Sequence, residues 1–94
     1  MATITQLEKS IRGLSSKLRK EGYECNVSAV KTGRYFNLGA SFVEIGISDK
    51  DDNYVGSYKF LANGYDGIGR NEYGGYSIKK MKQQFQEQFE KDIK

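Results

Sequence analysis

Residues 63–77, NGYDGIGRNEYGGYS, place five glycines and three tyrosines in fifteen positions. Glycine frees the backbone and tyrosine offers rigid contact surface, so the stretch suggests a phosphate cradle, a recognition loop or a connector. The phosphate cradle fails on spacing. After Gly67 and Gly69 the next glycine is Gly74, five positions on rather than three, and no glycine–lysine–Ser/Thr ending completes a Walker-type loop. Tyr65, Arg70, Tyr73 and Tyr76 among glycine and asparagine instead match the composition of binding loops, where aromatic rings give contact area at low entropic cost. These four residues are read as a recognition loop. A flexible connector is the alternative, although three tyrosines have little use in one.

Lys79, Lys80 and Lys82 follow at once, in the first turns of a predicted helix. The partial positive charge of a helix start disfavours cations there by a few tenths of a kcal/mol each. Such a cluster suits an acidic target, either phosphate or a carboxylate-rich protein; the plain alternative is that the lysines splay into water and keep the protein soluble. Asp49, Asp51 and Asn53 in DKDDN imitate the opening of a calcium loop, but Tyr54 and Phe60 stand where that loop needs glycine and glutamate, so a polar turn explains them. Cys25 falls on the apolar side of its strand and the chain has no histidine to act as its base. Asp66 and Glu72 show no pairing that spacing can certify. No catalytic residue, metal ligand or cofactor site is assigned, and the chain is read as non-enzymatic.

The elements that position these residues are periodic. Ile4, Leu7, Ile11, Leu14 and Leu18 recur every three or four residues and predict an amphipathic helix, with Thr5 and Glu8 at capping-box spacing and Gly22 as its stop. Tyr23, Cys25, Val27 and Ala29 then alternate with polar residues as a half-buried strand. KTGR, residues 31–34, reads as a turn before a short extended piece over 35–38. Val43, Ile45 and Ile47 mark a second strand, and residues 54–61 a third. Placing Tyr54 opposite Ile47 would bring Tyr58 and Phe60 to the core face, whereas a slip of one residue would bury Val55 and Leu61. Ser77 caps a second helix striped by Ile78, Met81, Phe85, Phe89 and Ile93. The expected fold is α+β, in the order helix, three- to four-stranded antiparallel sheet, helix. Both helices should pack on one sheet face, leaving the other to solvent or a partner.

Ninety-four residues make one domain, 1–94, with a thin core that leans on its aromatic residues. One cysteine excludes an internal disulfide, and the start of the chain has no basic-then-apolar export signal. No apolar run approaches bilayer-spanning length. These features predict a cytoplasmic protein that does not enter a membrane. The net charge of +3 is concentrated at the ends. Residues 1–24 and 77–94 each carry five basic against three acidic residues, around a centre with five against six.

The order of elements, with KKMK opening the last helix, resembles the double-stranded RNA-binding domain. That resemblance implies phosphate contacts for Lys79, Lys80 and Lys82. The proline-and-histidine loop of that family is missing here, since the chain has neither residue, and the tyrosine loop is foreign to it. The layout as a whole, a small motif-free α+β chain without enzyme machinery, is similar to phage proteins that block bacterial defence, anti-CRISPR proteins above all. This implies an inhibitor that docks on a nucleic-acid-processing protein complex, a CRISPR effector or another nuclease, in the host cytoplasm. Tyr65, Arg70, Tyr73, Tyr76, Lys79, Lys80 and Lys82 would make the contact. Direct nucleic-acid binding through the lysines, with tyrosines stacking on bases, is the alternative. An assembly role for the open sheet face is a third.

Overall fold

Thr3 starts the first helix, α1 (Ile4–Lys20), and does so with a reciprocal cap. Its hydroxyl accepts from the Gln6 N–H at 3.2 Å while the Gln6 side chain accepts from the Thr3 N–H at 3.0 Å. The box therefore lies two residues before the predicted Thr5 and Glu8, and Glu8 instead receives the Arg12 guanidinium at 2.9 Å. Leu7, Ile11, Leu14 and Leu18 are buried, and Gly22 ends the turn at φ +103°, a backbone setting that side chains resist. The computed structural model describes residues 3–35, 40–67, 69–75 and 77–94.

Four strands follow: β1 (Glu24–Tyr35), β2 (Ala40–Ser48), β3 (Tyr54–Leu61) and β4 (Glu72–Tyr73), and then α2 (Ile78–Asp92). They form one sheet in the order β1-β2-β3-β4. KTGR does not turn the chain. β1 runs through it to Tyr35, and the pairing with β2 shifts register between Val30 and Tyr35. The extra residues of β1 between Val30 and Tyr35 thus bulge the strand rather than end it, and most of the extended piece expected over 35–38 lies outside the described residues. The turn at 49–53 forms as expected: Asp49 accepts from the backbone N–H groups of Asp51 and Asn53, both at 2.9 Å. The N–H of Asn53 above all holds the Asp49 carboxyl below its ordinary range.

Tyr58 and Phe60 do reach the core, although Tyr54 does not. A bulge between Ile47 and Ser48 pairs Ile47 with Gly56 and leaves Tyr54 70% exposed opposite Ser48. Leu61 is buried as well, packed with Phe42 apart from the main core, so the two registers weighed from the sequence each supply a buried residue. The purely antiparallel sheet expected holds for β1 to β3 and gives way at β4, which pairs parallel to β3 through Lys59–Glu72 and Phe60–Tyr73. Ten residues separate β3 from β4, enough chain to return along the sheet so that Glu72 re-enters in the direction of β3.

Both helices pack on one sheet face. The α1 stripe and Met81, Phe85 and Phe89 of α2 close over Val43, Ile45, Ile47, Tyr58 and Phe60 in a single cluster. Phe85 lies edge-on to Tyr58, 4.9 Å between centroids, and stacks on Phe89 at 5.4 Å. Aromatic rings dominate the burial, as a thin core requires. The opposite face is polar where Glu44 meets Ser57 at 2.9 Å and Lys59 at 3.5 Å.

Candidate functional site

The glycine-rich stretch is built tightly. Asn63 and Gly64 turn the chain at positive φ after β3, and the Asn71 carbonyl accepts from the Lys59 N–H at 2.9 Å. Gly74 passes against the Tyr65 carbonyl with no room for a Cβ atom, so at this position glycine serves close packing. The Gly69 N–H is tied to the Glu72 carboxylate.

The four loop residues singled out in the sequence separate. Tyr73 is 7% exposed, its ring 5.3 Å from Phe60 and 6.4 Å from Phe85, so it belongs to the core and leaves the proposed contact set. Burial pushes its phenol up, with the Asp92 charge adding to the effect, and its hydroxyl has no hydrogen-bond partner among the described residues. Arg70 donates to Asp92 Oδ1 at 2.8 Å. The same carboxylate accepts from Tyr58 Oη at 2.6 Å and Gln88 Nε2 at 2.8 Å. Desolvation pushes the Asp92 carboxyl up, but the bonds from Tyr58 and Gln88 and the Arg70 charge outweigh it, and its pKa is lowered. Arg70 therefore clamps the loop to the end of α2. Tyr65 stays at the surface, 41% exposed, and Tyr76 lies outside the described residues.

The lysines fare differently. Ser77 caps α2 by accepting from the Lys80 N–H at 3.2 Å, which sets Lys79 and Lys80 in water and Lys82 half-buried. Lys79 and Lys82 face a groove between the helices. One recess, about 510 Å³, is lined by Gln6, Lys9, Ser10, Gly13, Leu14, Lys17 and Lys82. A second, about 420 Å³, shares Leu14, Lys17 and Lys82 and adds Ile78, Lys79, Gln83 and Gln86. Four lysines thus meet over a floor of Leu14 and Ile78, and no carboxylate lines either recess. None of these four has an ion-pair partner among the described residues. Toward the C-terminal ends of both helices the groove continues into a third recess that shares Leu14, Lys17 and Gln86, and there Glu21 and Glu90 line it.

Sequence reasoning missed Lys9 and Lys17. For Lys17 a signal existed: Gln6, Ser10, Gly13 and Lys17 recur at spacings of four, three and four, a second stripe beside the apolar one, whereas Lys9 lies outside that stripe. The arrangement offers carboxylates or phosphates four cationic donors beside an apolar surface. It offers little to covalent chemistry. Burial raises the Cys25 thiol despite Ser15 and Arg19 nearby, which disfavours the reactive thiolate. Among the described residues no three His, Cys, Asp or Glu side chains gather as metal ligands. No helix among them is long and apolar enough to cross a membrane. No protein-family model matches the chain, and neither curated proteins nor solved structures give a match.

Proposed function

We propose that the protein is a non-enzymatic binding protein, a small inhibitor that docks on a nucleic-acid-processing protein complex in the cytoplasm through the face formed by α1 and α2. One observation carries this reading: Lys9, Lys17, Lys79 and Lys82 line a single groove without an ion-pair partner among the described residues. Like charges held close repel by a few tenths of a kcal/mol per pair, and an anionic partner turns that cost into attraction. The similarity of layout to small phage inhibitors of bacterial defence supports the choice of a CRISPR effector or other nuclease as partner. Tyr65 and Lys80 are both at the surface but line neither recess, so any contact they make is peripheral to the groove.

A second reading is direct nucleic-acid binding, favoured by the exposed Lys79 and Lys80 at the start of a helix that shares its sheet face with another. Capture from the native host, with and without nuclease treatment, separates the two. The inhibitor reading expects a protein partner that survives nuclease and is lost with the Lys17→Glu/Lys82→Glu variant. Loss of every partner after nuclease, with log-log salt dependence near 0.9 per phosphate contact on duplex DNA, would establish the second reading instead.

A further inference from the structure

Resting on that reading, we infer that the groove between α1 and α2 receives an acidic amphipathic helix of the partner protein. The walls call for anions, but the floor calls for something else. Leu14 and Ile78 present carbon between the lysines, and a phosphate backbone gains nothing from such a surface, whereas a helix with an apolar stripe flanked by carboxylates satisfies floor and walls together. From Gln6 to Lys17 the α1 wall rises about 16 Å, room for roughly three turns of a docked helix.

Gly13 supplies an independent indication. It sits in the middle of α1, where glycine is a poor helix former, and a Cβ built on it meets nothing within 4 Å. No described part of this chain packs there, so the chain's own fold does not require the glycine. A bare backbone at the centre of one wall lets a partner helix approach closely, at the contact distances helices use when they pack. The lining residues advance together along the two helices, Gln6 to Lys17 on α1 and Ile78 to Gln86 on α2, so the groove is continuous.

The test uses the whole chain and four probes followed by backbone amide shifts. The first probe is a peptide of about 18 residues, long enough to hold a helix, with leucines at i, i+3, i+4, i+7 spacing and glutamates elsewhere. The others are the same peptide with lysines for glutamates, polyglutamate of equal length, and an RNA duplex of roughly 20 base pairs, a little more than one double-stranded RNA-binding domain spans. The acidic peptide should move the amides of residues 6–17 and 78–86 and bind at least about tenfold tighter than polyglutamate or duplex, with the lysine peptide silent. Gly13→Leu should weaken that binding about tenfold or more while its unfolding midpoint holds or rises, since leucine is the better helix former. Equal binding of polyglutamate or duplex at the same amides would overturn the helical occupant and leave the anion-binding face standing. So would unchanged peptide affinity in Gly13→Leu. If no probe moves the groove amides, the helical occupant and the binding face both fall.

Discussion

Replacing Tyr73 by alanine and by phenylalanine distinguishes a core residue from a recognition residue. The ring is buried against Phe60 and Phe85, and the hydroxyl has no hydrogen-bond partner among the described residues. Truncating a buried aromatic to alanine costs about 3–5 kcal/mol, through lost transfer energy and the cavity left behind. For a domain of this size each kcal/mol moves the melting temperature by about 4–8 °C, so Tyr73→Ala should lower it by roughly 12–40 °C. Phenylalanine should behave in the opposite sense. A buried hydroxyl without a partner costs about 1–3 kcal/mol, so removing it should leave stability unchanged or raise it slightly. A tyrosine serving only recognition would show neither effect on unfolding. Thermal unfolding followed by circular dichroism on both variants reads the result directly. A Tyr73→Ala midpoint within about 3 °C of the wild type, under 1 kcal/mol, would refute the placement of this ring in the core.

Three further outcomes follow from the same packing. Phe85→Ala should lose about 3–5 kcal/mol in urea unfolding, because Phe85 sits between Tyr58, Phe60 and Phe89; a near-neutral effect would mean α2 is not docked. Asp92 has a folded pKa below its ordinary 3.8, so its contribution is complete above that value and is lost as pH falls through the folded one. The stability gap between wild type and Asp92→Asn should therefore close as the pH falls below the ordinary carboxylate value of 3.8, and a constant gap in urea midpoints would contradict the clamp. Gly74→Ala should destabilise by about 1–3 kcal/mol, because its methyl group meets the Tyr65 carbonyl; an unchanged melting temperature would show that the loop can open there without loss.

Much of this fold was legible because burial writes its period into the chain. The three- and four-residue spacing of Leu7 to Leu18 and of Met81 to Phe89, and the alternation of Val43, Ile45 and Ile47, each follow from one face meeting one core. Tyr54 escaped because a single bulge between Ile47 and Ser48 resets the register, and one inserted residue leaves no periodic trace. KTGR misled because turn-forming composition also suits a bulged strand. Tyr73 reads as a surface residue because a two-residue strand has no period, and its glycine surroundings suggest looseness where the fold uses them for close approach. Of the groove, the lysines of α2 were visible as a cluster. Lys9 and Lys17 join them only once both helices lie side by side, and that juxtaposition is a property of the tertiary structure.

The central claim, that the protein works through the groove between its helices, is tested most directly by photo-crosslinking in the native host. A photoreactive side chain would be substituted in turn at Gln83 in the groove, at Tyr65 on the loop and at Asn26 on the far sheet face. The account predicts a nuclease-resistant protein adduct whose yield is highest from Gln83, falls at Tyr65 and vanishes at Asn26, with the Gln83 adduct abolished by Lys17→Glu/Lys82→Glu. An adduct formed from Asn26 or Tyr65 while Gln83 gives none would contradict it.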